Sequence, residues 1–226
     1  MKAPSQIITS TKMRLTAIYI LLLPILILVL SGDIRWAEGW MVSGWVTVLC
    51  FRTLLYLYRN NPQILANCFK KPILNAQSNR DKYVEYGLIF GFILWIIIMP
   101  IDVKQFGWSC LPYWVKTLGA IGLCYSFYLI FNACKENSVL SSLVRNQHER
   151  RHQVVANGVY SIVRHPIYLG GVLFFVGSPM LMGSAFGFGI GILLSLLLVE
   201  RIISEERLLN EEHTNSIKYR LIPFVW

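Results

Sequence analysis

The feature that most constrains this chain is a series of long apolar runs with almost no charged residues. Six such stretches can be marked, at residues 15–31, 40–58, 83–101, 113–134, 167–183 and 184–199. A helix needs about 17–25 residues to cross a bilayer, because each residue adds about 1.5 Å of length. The first four stretches meet that length, and the last two are shorter. We predict an all-α, polytopic membrane protein with about six transmembrane helices, ending in a short helical hairpin at Gly183.

The composition agrees with a surface that faces lipid. Of the 226 residues, 55% are hydrophobic and 15% are charged, whereas soluble domains average about 45–50% and about 25%. No internal repeat or low-complexity linker divides the chain. We therefore predict one membrane domain over residues 1–226, in which residues 1–134 form four spans and residues 135–226 carry the chemistry.

The distribution of lysine and arginine predicts the orientation. The net charge is +9, and nearly all of the basic residues lie in the two termini and in the second and fourth loops. The alternate loops hold only Arg35 and Lys104. With six crossings, the positive-inside rule places both termini and the basic loops in the cytoplasm. The charge then faces anionic lipids rather than nucleic acid, for which no motif is present. We expect the inner membrane of a bacterium.

No ionisable residue lies in the middle of a span, which makes a transporter or proton pump a weaker interpretation. The polar residues form three clusters at the cytoplasmic rim: residues 152–160, residues 164–170, and Arg201 with Glu205 and Glu206. A tight hairpin would bring the third cluster back beside the second. By spacing alone, an interfacial anchor or a solvated ion pair would give similar patterns.

The second cluster has features of a helix start. Pro166 suits the first turn of a helix, where its missing N–H is not needed. His165 is expected to be extended, because a residue that precedes proline avoids the helical region. Gly170 permits a close approach of another backbone.

Together the clusters resemble the signature of the isoprenylcysteine carboxyl methyltransferase family, to which phospholipid N-methyltransferases are related. The resemblance rests on Gly158-Val159-Tyr160, then Arg164-His165-Pro166-x-Tyr168-x-Gly170, then Arg201-x-x-x-Glu205-Glu206. The stretch 136–155 and the ending 219–226 resemble bacterial members. The strong part of the resemblance covers roughly the last ninety residues.

The resemblance implies S-adenosylmethionine as the methyl donor, bound in a pocket at the cytoplasmic face. Arg201, Glu205 and Glu206 would then lie in the substrate and catalytic region. The implied cofactor-binding residues are Arg145, His152, Gln153, Val154, Val155, Tyr160, Arg164, His165, Pro166, Ile167, Tyr168 and Gly170.

The resemblance favours carboxyl O-methylation of an isoprenylcysteine-type acceptor that enters from the bilayer. A carboxylate needs no general base, and Arg201 suits it as a bidentate partner. An amine acceptor, as in phospholipid N-methylation, would use Glu205 or Glu206 as base; a small thiol acceptor is also open. Residues 210–218 lack the aromatic pattern of the family, so a non-catalytic scaffold stays an alternative. His148 and His152 have no evident third ligand, and no metal is expected.

Overall fold

The computed structural model describes the backbone of residues 10–60, 79–146, 158–161, 163–208 and 221, and the side chains of residues 15–60, 82–136, 158–160, 163–204 and 221. Within these residues the regular structure is helical and no strand occurs, which confirms the all-α prediction. The helices are α1 (Ser10–Ser31), α2 (Ala37–Asn60), α3 (Asn79–Pro100), α4 (Tyr113–Asn146), α5 (Pro166–Met182) and α6 (Ala185–Leu208). A π-helical turn at Ile101–Gln105 follows α3, and a 3₁₀ turn at Gly158–Ser161 precedes α5.

Four helical segments are long and apolar enough to cross a membrane: Ala37–Asn60, Lys82–Gln105, Tyr113–Glu136 and Ala185–Ser204. The apolar parts of the other two helices, Leu15–Ser31 and Pro166–Met182, are shorter. The chain is therefore a polytopic membrane protein, as predicted, and the count of six crossings stays a prediction. The predicted stretch 15–31 lies entirely within α1, which has 22 residues.

Two helices extend well past the predicted apolar stretches. The stretch 184–199 was predicted to be short, but α6 has 24 residues and continues through Glu200 and Arg201. The stretch 113–134 continues to Asn146, so that α4 has 34 residues. Charged residues end an apolar run without interrupting the backbone hydrogen bonds of a helix. Only α5 in the hairpin is short, and the fourth loop begins later than predicted.

The predicted hairpin at Gly183 is present. Gly183 has φ 90° and ends α5, and the backbone N–H of Ser184 donates to Pro179 O at 2.9 Å. This is the usual glycine-terminated helix end, in which the residues after the helix satisfy its last carbonyls. Ser184 then caps α6, because its Oγ accepts the N–H of Gly187 at 2.9 Å. A two-residue connection thus joins α5 to α6.

Helices α4 and α5 approach each other along glycine. A Cβ on Gly119 would lie 2.7 Å from Gly177 O and 2.6 Å from Leu181 N, so the two backbones are in contact there. Further along, Ser126 Oγ donates to Gly170 O at 2.6 Å in a buried hydrogen bond. Small residues and interhelical hydrogen bonds are the usual means by which membrane helices associate. These contacts fix both the separation and the register of the pair.

Aromatic rings fill the space between this pair and the other helices. Phe174 of α5 stacks on Trp45 of α2 at 5.2 Å between centroids and meets Trp95 of α3 edge-on at 5.3 Å. The indole N–H of Trp45 donates to Leu123 O of α4 at 2.9 Å. Trp95 is 1% exposed. One aromatic cluster therefore joins four helices at the centre of the bundle.

One end of the bundle, here called the far end, consists of residues 31–38, 101–116 and 182–185. Ion pairs join its elements: Lys104 Nζ contacts Asp33 Oδ2 at 2.7 Å, and Lys116 Nζ contacts Glu38 Oε1 at 2.6 Å. The hydrogen bond from Lys104, and then that from the Arg35 N–H, lower the pKa of Asp33. Asp102 is fully buried and accepts the Ser184 hydroxyl at 2.6 Å. The opposite end, called the motif end, carries the described parts of the three polar clusters: residues 158–160, residues 164–170 and Arg201.

The contact between α4 and α5 yields a direct test. Gly119→Val should force the two backbones apart and destabilise the fold by about 1–3 kcal/mol, the usual cost of overpacking. Gly122→Val is the matched control, because a Cβ at Gly122 meets nothing within 4 Å and the same residue enters the same helix. Thermal unfolding in detergent should show a lower midpoint for Gly119→Val alone. Equal midpoints for the two variants would contradict the close packing.

Candidate active site

The second cluster lies at the start of α5, between α4 and α6. A Cβ on Gly170 would lie 2.5 Å from Ile130 Cγ1 of α4, and one on Gly171 would lie 3.2 Å from Leu198 Cδ1 of α6. Gly170 thus permits the close approach expected from the sequence. The first turn of α5 is consequently fixed by both neighbouring helices.

The turn into α5 has the predicted proline start. Pro166 is the first helical residue and is buried, and His165 precedes it with φ −121° and ψ 62°. The φ of His165 is extended, as expected, while its ψ already turns the chain toward the helix. His165 O accepts the N–H of Leu169 at 3.1 Å. The His165 ring lies 5.6 Å from the Tyr168 ring. Ile167 is 38% exposed.

The third cluster meets the second, as the hairpin predicted. Arg201 Nε donates a hydrogen bond to the Tyr168 hydroxyl at 3.3 Å. Arg201 is exposed, whereas Ile202 beside it is 0% exposed. Glu205 and Glu206 follow on α6, and their side chains lie outside the described part of the chain. The guanidinium is therefore at the surface of the motif end, beside the phenol of the second cluster.

The end of the first cluster is held by a residue that the sequence analysis did not select. Glu136 of α4 accepts the backbone N–H of Val159 at 3.2 Å through Oε1. Val159 is 4% exposed and packs with Leu129 and Ala133, and Tyr160 packs against the same group. The 3₁₀ turn is thus attached to α4, and this brings Tyr160 to the motif end.

Two further carboxylates lie at the level of Arg201. Helix α3 runs antiparallel to α6: a Cβ on Gly91 would lie 2.8 Å from Leu194 Cδ2, and one on Gly87 would lie 3.4 Å from Leu197 Cδ1. Continuing this register brings Glu85 level with Glu200 and Arg201. Glu85 is 7% exposed. A polar residue inside an apolar stretch is the signal that would have identified Glu85, and adjacency to Arg201 would have identified Glu200.

Several of the predicted cofactor-binding residues lie outside the described part of the chain. Arg145 lies on α4, but its side chain is outside the described part. His152, Gln153, Val154 and Val155 are likewise outside it. Arg164 is half-buried just before α5. Among the described residues, no group of three or more His, Cys, Asp or Glu side chains is placed to hold a metal ion; His148 and His152 lie outside them.

Comparison with known proteins gives two matches, and both include the motif region. Residues 114–216 match the family model of phospholipid methyltransferases. The chain is also 27% identical over 120 residues to a protein-S-isoprenylcysteine O-methyltransferase of Schizosaccharomyces pombe. That alignment covers 51% of this chain and 44% of the relative, so the chain matches less than half of the relative's length. No solved structure matches the chain.

The family model covers α4, the 3₁₀ turn, α5 and α6, which are the elements that build the motif end. It therefore includes the glycine contacts, the Glu136 attachment and the Arg201–Tyr168 contact described above. The bacterial origin that the ending suggested stays a prediction. The two matches agree with the resemblance that the motif indicated: residues 114–216 are similar to phospholipid methyltransferases, and 120 residues of the chain are similar to an isoprenylcysteine O-methyltransferase.

Proposed function

We propose that this protein is an S-adenosylmethionine-dependent membrane methyltransferase that methylates the carboxylate of a lipophilic, isoprenylcysteine-type acceptor. The observation that carries the proposal is the hydrogen bond between Arg201 and Tyr168. It joins the two motif clusters that the family resemblance assigns to the acceptor and to the donor. The family match over residues 114–216 and the curated relative support the same class of reaction.

The described part of the motif end fits the proposed donor. A zwitterionic, cationic ligand needs carboxylate acceptors and aromatic faces. Glu136 Oε2 is buried and has no hydrogen-bond partner within the described residues, and Tyr160 and Tyr168 provide rings nearby. An aromatic face beside a cation contributes about 0.5–2 kcal/mol. His165 and the loop at residues 152–155 complete the donor site that we propose.

When bound, S-adenosylmethionine would supply a methyl group carried on a sulfonium sulfur. Transfer of this methyl group to a carboxylate oxygen would break the S–C bond, form an O–C bond and leave a neutral thioether. No proton would be transferred. The residues then have to align the acceptor and exclude water, and positioning of this kind contributes much of the catalysis in displacement reactions. Arg201 is suited to hold the acceptor carboxylate by two parallel hydrogen bonds. Tyr168 accepts from Nε and limits the rotation of the guanidinium.

A second candidate is N-methylation of a phospholipid amine. The specific observation in its favour is the pair of carboxylates at the level of Arg201, the buried Glu85 and the neighbouring Glu200. An ammonium headgroup would interact favourably with them, and an amine acceptor needs a base to remove its proton before it can attack. The family model that matches residues 114–216 is that of phospholipid methyltransferases. Glu205 and Glu206 keep their proposed role as bases for this reaction.

We further propose that the motif end faces the cytoplasm. The donor would then reach the site from solution, and the acceptor would reach it from the lipid. Most of the basic residues lie in the segments that this orientation makes cytoplasmic, which agrees with the positive-inside rule.

The role of Arg201 can be tested by substitution. Arg201→Gln should reduce kcat/KM for a prenylated cysteine about 10- to 100-fold, because a hydrogen bond to a charged group contributes about 1.5–3 kcal/mol. Tyr168→Phe should reduce kcat/KM less, by roughly 2- to 10-fold, because it removes only the hydroxyl that accepts the hydrogen bond from Arg201 Nε. Tyr128→Phe is the matched control, since Tyr128 is 53% exposed on α4 and stacks on Tyr125. Activity unchanged in Arg201→Gln would remove Arg201 from the acceptor site.

The pH dependence of methyl transfer distinguishes the two candidate reactions. A carboxylate acceptor is ionised above about pH 4, so its methylation rate should be nearly flat from pH 6 to pH 9. An amine acceptor has a pKa near that of lysine, about 10.4, so its rate should rise about tenfold for each pH unit below that value. Farnesylated cysteine and phosphatidylethanolamine, each in mixed micelles, are the two substrates to compare. If neither is methylated and the folded protein does not bind S-adenosylhomocysteine, the scaffold alternative would be favoured.

The orientation can be tested with two native cysteines. Cys110 is exposed at the far end, and Cys68 lies in the second loop. Single-cysteine variants that keep one or the other should differ in labelling by a membrane-impermeant maleimide. Cys110 should react in intact cells, and Cys68 only after permeabilisation. The reverse pattern would place the motif end outside the cytoplasm.

A further inference from the structure

The two carboxylate oxygens of Glu136 have different surroundings. Oε1 accepts the N–H of Val159 at 3.2 Å, which attaches the 3₁₀ turn to α4. Oε2 is buried and accepts no hydrogen bond from any described group. A carboxylate oxygen shielded from water is unfavourable unless a donor replaces the lost hydration. Within the described chain, Oε1 therefore holds the turn while Oε2 has no hydrogen-bond partner.

Gly158 shows how closely this carboxylate is held against the turn. Its φ is 60°, in the left-handed region that favours glycine. A Cβ at this position would overlap the Glu136 carboxylate and lie 2.6 Å from its Cδ. The space beside the turn that a side chain at 158 would fill is thus taken by Glu136. The glycine of the motif is required both by its own backbone conformation and by this carboxylate.

Apolar packing attaches the turn to α4 in addition to the bond from Val159 to Glu136. Val159 packs on Leu129 and Ala133, and the partly buried residues around this group are Tyr160, Leu169 and Leu173. All of them are apolar or aromatic. Ala133 lies one turn before Glu136 on α4, so the carboxylate stands at the edge of this apolar group on the side of the motif end. A ligand that reaches Tyr160 would also come near Oε2.

We propose that Glu136 is a further cofactor-binding residue, whose Oε2 accepts a hydrogen bond from the methyl donor while Oε1 holds the turn that carries Tyr160. The inference rests on the proposed function. S-adenosylmethionine offers two kinds of donor that suit a carboxylate, the ammonium of its amino acid tail and the hydroxyls of its ribose. A carboxylate serves two donors at once because both of its oxygens accept. A glutamine whose amide oxygen stays on the Val159 N–H would turn its NH₂ group, which only donates, toward the second donor.

This difference sets the test. Glu136→Gln keeps the size of the side chain and can retain the bond to Val159 through its amide oxygen. We expect Glu136→Gln to bind S-adenosylhomocysteine roughly 10- to 100-fold more weakly than the unmodified protein, by calorimetry on the full chain in detergent, with an unchanged unfolding midpoint. Gly158→Ala should also weaken binding, because its Cβ displaces the carboxylate.

Asp102→Asn is the matched control. Asp102 is a buried carboxylate at the far end, is 0% exposed and is bonded to Ser184. The same chemical change at this position should leave the affinity for S-adenosylhomocysteine within about twofold of the original.

The outcomes separate the inference from the proposed function. Failure of the unmodified, folded protein to bind S-adenosylhomocysteine would contradict both. Binding by the unmodified protein with equal binding by Glu136→Gln would overturn the role of Glu136 and leave the proposed function intact. Methylthioadenosine, which lacks the amino acid tail, identifies the donor group. A weakening by Glu136→Gln that persists with this probe supports a ribose hydroxyl, and one that disappears supports the ammonium.

Discussion

The arrangement of the motif end depends on the close contact between α4 and α5. In a lipid environment helices gain little from hydrophobic association, so packing and interhelical hydrogen bonds have to supply the stability. The backbone contact of Gly119 with Gly177 and the bond from Ser126 to Gly170 act at two levels of the same helix pair. Because the two contacts lie at different heights along the helices, they fix the axial register of α4 against α5 as well as the distance between the helices. That register brings the carboxylate of Glu136 to the turn that precedes α5.

The helical architecture could largely be predicted, because the bilayer imposes a minimum length on any apolar run. The same reasoning could not locate the ends of helices. An apolar run ends at the first charged residues, whereas a helix ends where its hydrogen bonds do, and α6 continues through Glu200 and Arg201 to Leu208. The hairpin was predictable for a local reason, since glycine at 183 permits the left-handed turn that the helix end requires.

Of the candidate site, the sequence could predict only the contacts that depend on the short turn between α5 and α6. A two-residue turn brings α6 back along α5, so the contact of Arg201 with Tyr168 follows from the sequence. The positions of Glu136 and Glu85 in the site could not be predicted in this way, because each residue lies on a helix that packs against helices distant from it in sequence. Spacing along a chain does not indicate which helices lie side by side. The roles assigned to residues 152–155 continue to rest on family resemblance.

The shortness of the connection between α5 and α6 also limits how these helices can move. With only Gly183 and Ser184 between them, neither helix can slide along the other, and the remaining freedom is a change of angle about the far end. Tyr168 lies about 21 Å from that pivot, at about 1.5 Å per residue. A change of roughly 5° therefore separates Tyr168 from Arg201 by about 2 Å, enough to break their hydrogen bond. The contact of Arg201 with Tyr168 therefore depends on the angle between α5 and α6, which the packing of α5 on α4 holds in place.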